Sequence, residues 1–276
     1  MKHLKHLDEI LQQVQTVSPL VHCISNQVAS NDCANIVLAC GASPIMAEDP
    51  EEVAEVTAIS RAVSLSLGTP NPRKAEALRR AGKQANALGI PVVFDPVGVG
   101  VSAFRQEIAA AFLSEVRPTV LRCNCSELRA LILEEENARG VDADTAQERE
   151  EDQNIALAKA AARSLGCVVA MTGEEDVITD GTTVCVGHNG TPRMRSVTGT
   201  GCMLSVLTGA FVGANPEHPL EAALGAVCAM GLCGEIAERR MQPQDGTGSF
   251  RVYLMDAVSN LTPEALEEGA DYEDYR

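Results

Sequence analysis

Apolar residues recur along this chain at two spacings, one helical and one strand-like. Leu4, Leu7, Leu11 and Val14 fall on a single helical stripe, so residues 1–17 are expected to form an amphipathic helix. Pro19 breaks it, and the apolar run 20–24 predicts a short strand entering an Asn- and Ser-rich turn. Ser30 or Asn31 is then expected to cap a helix through Cys40, with Gly41 ending it and residues 43–46 forming another short strand. The alternation continues with a helix near 51–58, a strand at 62–67, a helix at 73–88 closed by Gly89, and a strand at 92–94 ending at Asp95.

A strand at 119–122 leads into a helix from about Cys125 to Leu133, and the acidic stretch 134–152, which carries Gly140, reads as a long surface excursion. Helix 153–165 and strand 167–171 follow. Next comes a hairpin turning at Asp180-Gly181 between Val177-Ile178 and Thr183-Val184. Residues 201–213 and 220–240 are long helical patterns rich in Ala and Gly, which suits close helix packing or a subunit contact, and the acidic tail 262–276 is expected to fray. Continuous β-branched runs such as 92–94 and 168–169 fit parallel strands covered on both faces. The sum is one α/β domain over residues 1–276, a central, mostly parallel sheet flanked by helices, with function at the strand C-termini. No repeat or low-complexity linker divides it.

Composition narrows the functional classes. Apolar residues make up 45% of the 276 positions, ample for a large core, yet aromatics are 3% and Trp is absent, so Ala, Val, Leu and Gly must do most of the packing. A formal charge of -16 argues against a nucleic-acid or anionic-membrane surface, and it requires local cations, helix ends or metal wherever a phosphate is to be met. The ten Cys lie scattered through apolar segments of a chain too large to need stapling, which reads as reduced, buried thiols. Cys123 and Cys125 form a C-x-C with no second pair, too little for a zinc site. The first residues lack the apolar block of a signal peptide, and residues 222–234 are too short and too Gly-interrupted to span a bilayer, so a cytosolic protein is expected.

Three places combine the right residue types for phosphate chemistry. In Thr198-Gly199-Thr200-Gly201-Cys202, between a strand-like stretch and a helix, free backbone N–H groups and the helix dipole suit a developing negative charge; the bland alternative is a plain loop before a helix. Asn124-Cys125-Ser126-Glu127 follows Arg122 at a strand-to-helix junction. Arg122 suits a phosphate or base and Glu127 a water on Mg²⁺, or else Asn124 is an N-cap and Glu127 a first-turn acid favoured by the dipole. Asp95 ends the clearest strand, well placed to bind metal or orient a nucleophile. The following Gly98-x-Gly100-x-x-Ala103 imitates a dinucleotide fingerprint, but it lies mid-chain behind a stiff Pro96 with no acidic residue at the usual distance. No G-x-x-x-x-G-K-[ST], protein-kinase catalytic loop or G-x-S-x-G elbow occurs. His22 and Cys23 should face opposite sides of a strand and are read as structural.

Asp95, Asn124, Glu127 and the Gly-Thr-Gly turn, in this order, resemble a ribokinase-like small-molecule kinase. The narrower resemblance is to the hydroxyethylthiazole kinase family. It rests on residues 19–26, 31–35 and 41–46, then Gly68-Thr69, Asp95 to Gly100, Arg122 to Glu127, Thr172-Gly173, Gly199 to Cys202, and Gly248-Ser249-Phe250, and it covers nearly the whole chain. The resemblance implies an ATP- and Mg²⁺-dependent kinase acting on a small thiazole alcohol, and a homotrimer with active sites between subunits. Asn26, Val28, Met46, Gly68 and Gly199 would line the thiazole pocket; for Met46 the bland alternative is a core-filling thioether. Arg122, Thr172, Asn124 and Glu127 would serve ATP, Asp95 and Glu127 would lie near Mg²⁺, and Cys202 with Gly199, Thr200 and Gly201 would carry catalysis.

Cys202 stands where the wider ribokinase group has an Asp base. A thiol at a helix N-terminus is open to a lowered pKa and a nearby triphosphate opposes this, so Cys202 is read as positioning the alcohol first and as a base second. Two departures from the family pattern stand out: Cys123 where Gly is expected beside Arg122, bearing on the ATP side, and Gly246-Thr247-Gly248 in place of a G-P-G turn. Two other readings remain: a same-fold kinase or dehydratase with another small substrate, and a catalytically silent sensor of a thiamine precursor. Gly199→Val is expected to abolish activity with little loss of folding.

Overall fold

The computed structural model describes residues 6–136 and 150–275, apart from the side chains of residues 133–136 and 150. The first half runs α1 (Leu7–Val17), β1 (Leu20–Ile24), α2 (Ser30–Ala39), β2 (Ser43–Ile45), α3 (Val53–Ala58), β3 (Ala62–Ser66), α4 (Pro72–Leu88), β4 (Val92–Asp95) and α5 (Ala103–Glu115). The second half runs β5 (Val120–Asn124), α6 (Cys125–Glu136), α7 (Glu150–Leu165), β6 (Val168–Thr172), β7 (Asp176–Thr179), β8 (Val184–Gly187), α8 (Thr200–Ala214), α9 (Pro219–Arg240), α10 (Thr247–Ser259), α11 (Pro263–Gly269) and β9 (Tyr272–Asp274). One sheet holds all nine strands of the described residues in the order β2-β1-β3-β4-β5-β6-β7-β8-β9. From β2 to β6 the pairing is parallel, and β7, β8 and β9 continue it antiparallel.

Alternation along each strand sends neighbouring residues into two separate cores. In β4, Val92 and Phe94 pack with α4, α5 and α7, while Val93 packs on the other face with α8 and α9. The same holds in β5, where Leu121 and Cys123 join the first cluster and Val120 the second. Both faces are thus covered, which is why these strands read as unbroken apolar runs.

Helix α8 lies close on the sheet because Gly201, Ser205, Gly209 and Gly213 repeat every four residues along one side. A Cβ added at Gly209 would stand 3.1 Å from Val21, and one at Gly213 3.1 Å from Ala62. On α9, a Cβ at Gly231 would meet the Asn189 carbonyl at 2.5 Å. The small residues of these helices therefore serve contacts within the chain, the close helix packing that is one of the two readings of this pattern. Helix α9, at 22 residues, is longer than the apolar stretch marked in the sequence and long and apolar enough to cross a membrane; 83% of its apolar window is buried inside the fold.

The C-terminal segment is ordered, against the expectation of a frayed tail. Thr262 caps α11, its hydroxyl accepting from the Ala265 amide, Pro263 takes the first helical position, and Leu266 is fully buried. Glu267 accepts the Leu7 amide at 2.7 Å, so α11 caps α1, and β9 then pairs with β8. Leu4 lies outside the described residues, but Leu7, Ile10, Leu11 and Val14 form the buried stripe of α1. Neither Ser30 nor Asn31 caps α2: the helix follows Ala29, whose amide donates to the Asn26 side chain, and the Ser30 hydroxyl donates back to the Asn26 carbonyl. Helices α6 and α7 take up both ends of the acidic excursion, and residues 137–149 lie outside the described residues. All ten cysteines are free thiols, nine buried and Cys125 half-buried.

Candidate active site at the strand C-termini

Asp95 is the last residue of β4 and Arg122 the third of β5; both face α8, because their neighbours Phe94 and Cys123 face the other core. The Arg122 guanidinium donates from Nη2 to Asp95 Oδ1 at 2.6 Å and from Nε to the Ser205 hydroxyl at 2.9 Å. Ser205 in turn donates to Asp95 Oδ2 at 2.8 Å. Asp95 is wholly buried and Arg122 is 5% exposed. Burial opposes the charge on Arg122, but the Asp95 carboxylate, with Glu127 behind it, raises its pKa above the ordinary value. A Cβ at Gly201 would lie 3.2 Å from both terminal nitrogens, so the glycine lets α8 begin directly over the cation.

That first turn opens at Gly199, which has φ +85 and whose added Cβ would stand 2.7 Å from Ala29 Cβ. The Thr200 hydroxyl turns back to the Met194 carbonyl at 3.4 Å, away from the open end. Opposite, Asn26 is buried, accepts the Ala29 amide and donates from Nδ2 to Cys202 Sγ at 2.9 Å. Gly68 makes room for it, since a Cβ there would meet Asn26 Cβ at 2.7 Å. Burial, with Asp95 adding, pushes the Cys202 thiol up to about 12, and Arg122 only partly opposes this. Burial thus outweighs Arg122 and favours the neutral thiol.

Asn124 and Glu127 form a reciprocal cap on α6: the Glu127 amide donates to Asn124 Oδ1 at 2.9 Å and the Asn124 amide to Glu127 Oε2 at 3.0 Å. Glu127 Oε1 also accepts the Gly98 amide at 2.8 Å, tying the loop after Asp95 to the first turn of α6. Asn124 neighbours Thr172 across the β5–β6 pair, and the Thr172 hydroxyl donates to the Cys123 carbonyl at 3.3 Å. As a seat for Mg²⁺ the two carboxylates differ. Glu127 keeps a free lone pair on each oxygen and fits an ion held through water. Each Asp95 oxygen likewise accepts one bond, but Asp95 has no exposed atom, so direct ligation by Asp95 does not fit this arrangement.

Met46 is 41% exposed, which sets aside the core-filling alternative for it; it lines a cavity of about 240 Å³ with Ser25, Gln27 and Glu48. Val28, 65% exposed, points outward. Cys123 is wholly buried in the far core, so its side chain lies away from Arg122, while its carbonyl faces the Thr172 hydroxyl. His22 sits between the Thr57 hydroxyl and the Ala47 carbonyl, and burial lowers its pKa, in keeping with a structural role. Two residues escaped the sequence reading. Ser205, polar in an apolar helix four residues beyond Gly201, was the detectable one; Lys74, in the first turn of α4, looks like any surface lysine until its burial is seen.

The family profile described as "Hydroxyethylthiazole kinase family" matches residues 11–264. The hydroxyethylthiazole kinase of Clostridium acetobutylicum is 47% identical over 272 residues, covering 98% of this chain and 100% of its own length. That of Methanosphaerula palustris is 43% identical, covering 96% and 97%. The structure of the hydroxyethylthiazole kinase from Pyrococcus horikoshii OT3 superposes with a TM-score of 0.88 at 35% identity, covering 98% of this chain and 99% of that one. A Staphylococcus aureus pyridoxal kinase, at 15% identity and TM-score 0.59, shares the fold. Profile, relatives and fold agree over nearly the full length, and the chain belongs to the hydroxyethylthiazole kinase family.

Proposed function

We propose that this chain transfers the γ-phosphoryl group of ATP to the primary alcohol of 4-methyl-5-(2-hydroxyethyl)thiazole, a step of thiamine salvage. The observation that carries the reading is the first turn of α8, seated on the buried Arg122–Asp95 pair and carrying Cys202 against Asn26. The free amides of the Gly199–Thr200–Gly201 turn and the charge beneath them suit the oxygens of a transferring phosphoryl group. ATP lies over the strand ends near Arg122, Asn124, Glu127 and Thr172. The thiazole sits against Asn26, Gly68, Gly199, Met46 and Val28.

Glu127 would hold Mg²⁺ together with the nucleotide, and the ion would supply neutralisation of charge on the phosphates. Glu127→Gln is expected to raise the Mg²⁺ concentration for half-maximal rate about 10-fold or more, read by metal titration at saturating ATP. Cys202 orients the alcohol; a loose transition state asks little of a base. Profiles of kcat against pH for wild type and Cys202→Ser should therefore superimpose from pH 6 to 10. A limb present only in the wild type would make the thiol a base.

Purified chain with ATP, Mg²⁺ and the thiazole alcohol should yield the thiazole phosphate by mass spectrometry. Binding by calorimetry without product would instead make the chain a silent sensor. The cytosol is the proposed compartment, where ATP is at hand. The proposed assembly is a homotrimer: Leu38 and Val252 are exposed beside a groove of about 500 Å³ between α2 and α10, and the outward Val28 and Met46 leave the thiazole wall to be completed by a neighbouring subunit. Sedimentation equilibrium at three protomer masses is the expected result.

A further inference from the structure

Lys74 breaks three local rules at once. It is a lysine 4% exposed, it forms no ion pair among the described residues, and it sits in the first turn of α4, where the helix dipole disfavours a cation. Burial lowers its pKa to about 8, against the pull of Glu48 and Asp95 and with the push of Arg105. A group kept where both solvation and the dipole oppose it marks a place at which something other than stability decides the residue.

Its contacts name that place. Nζ donates to the Ser25 carbonyl at 2.6 Å and to the Gly68 carbonyl at 2.7 Å. Ser25 follows β1 and directly precedes Asn26; Gly68 lies two residues beyond β3, the neighbouring strand, and packs against Asn26 Cβ. Asn26 in turn holds the Cys202 sulfur. One ammonium therefore ties both loops that enclose Asn26, and a second route to the Cys202 thiol runs from Gly68, whose amide donates to Ser66 Oγ, through the Ser66 hydroxyl. The Arg122, Asn124, Glu127 and Thr172 group shares none of these bonds.

We infer that Lys74 is a positioning residue for the alcohol half of the site: by clamping the Ser25 and Gly68 carbonyls it fixes Asn26, and through Asn26 the Cys202 thiol, against the acceptor hydroxyl. The role assigned to the hydroxyl rests on the function proposed above; the coupling from Lys74 to Cys202 does not. Lys74→Met removes both hydrogen bonds with little change in length. It should raise KM for the thiazole alcohol and lower kcat, about 10- to 100-fold in their ratio, while KM for ATP stays within about 2-fold. Lys74→Arg, which restores donors and charge, should recover part of the loss.

A second readout needs no turnover. Alkylation of Cys202 by iodoacetamide in the absence of substrates, followed by peptide mass spectrometry, should be about 10-fold faster in Lys74→Met than in wild type, as the Asn26 contact loosens. Lys74→Arg should remain close to wild type. Equal changes in both KM values, or unchanged Cys202 labelling in a folded Lys74→Met, would overturn the inference. If wild type labels slowly and Lys74→Met quickly but neither phosphorylates the thiazole, the clamp stands and the proposed substrate falls. Should Lys74→Met not fold, Lys74→Gln carries the same comparison.

Discussion

Asp95→Ala is expected to lower the unfolding free energy by about 3–5 kcal/mol, because it leaves the Arg122 guanidinium buried without its counter-charge. Arg122 is 5% exposed and has its closest anionic partner in Asp95, while Ser205 supplies only a hydroxyl oxygen. Urea denaturation of the single variants and of Asp95→Ala/Arg122→Met closes a double-mutant cycle. Removing both charges should restore most of the stability lost in Asp95→Ala, since the uncompensated guanidinium is then gone. The double variant should nevertheless lack kinase activity, because the cation beneath the phosphate-facing turn is gone. If Asp95→Ala costs less than about 1 kcal/mol, the pair is hydrated and its burial has been misjudged.

Gly199→Val should reduce kcat by about 100- to 1000-fold, the loss seen when amides aimed at a developing oxyanion are displaced. It should also cost folding stability, roughly 1–3 kcal/mol, contrary to the expectation from sequence. Two independent strains act there: φ is +85, where a β-branched side chain is disfavoured, and any Cβ meets Ala29 Cβ at 2.7 Å. Relief requires the turn to move away from the segment that carries Asn26. A thermal melt beside steady-state rates tests both parts, and a variant retaining more than a tenth of the wild-type rate would show that this turn is not the anion site.

Legibility in the sequence followed the range of the interactions. Gly89 ends its helix in the left-handed region with a backbone bond to Ala85, and Asp180-Gly181 turns its hairpin, because both are decided within a few residues. The tail 262–276 misled because its acidic composition hides what Leu266 and Glu267 find far away in the chain, a buried seat and the amide of Leu7. The start of α2 was misplaced although it is decided locally: Ser30 has the right hydroxyl, yet the Asn26 side chain, three residues upstream of Ala29, accepts that amide. Cys123 seemed adjacent to the site by number, and the pleat turned it into the opposite core.

Motif order along the chain was enough to indicate the family, and periodicity enough to indicate a sheet covered on both faces; both depend on residue types and short spacings, which a linear chain displays directly. Which polar groups pair was decided by the tertiary structure alone. Arg122 meets Ser205 across 83 residues, Ser205 meets Asp95 across 110, and Asn26 meets Cys202 across 176. Whether Asp95 holds metal or an arginine, whether Cys202 is a thiolate or a neutral thiol, and whether Lys74 lies in water or under two carbonyls all depend on burial and on partners brought in from elsewhere. Those quantities belong to the packed molecule, because solvation and Coulomb energy are set by distance in space.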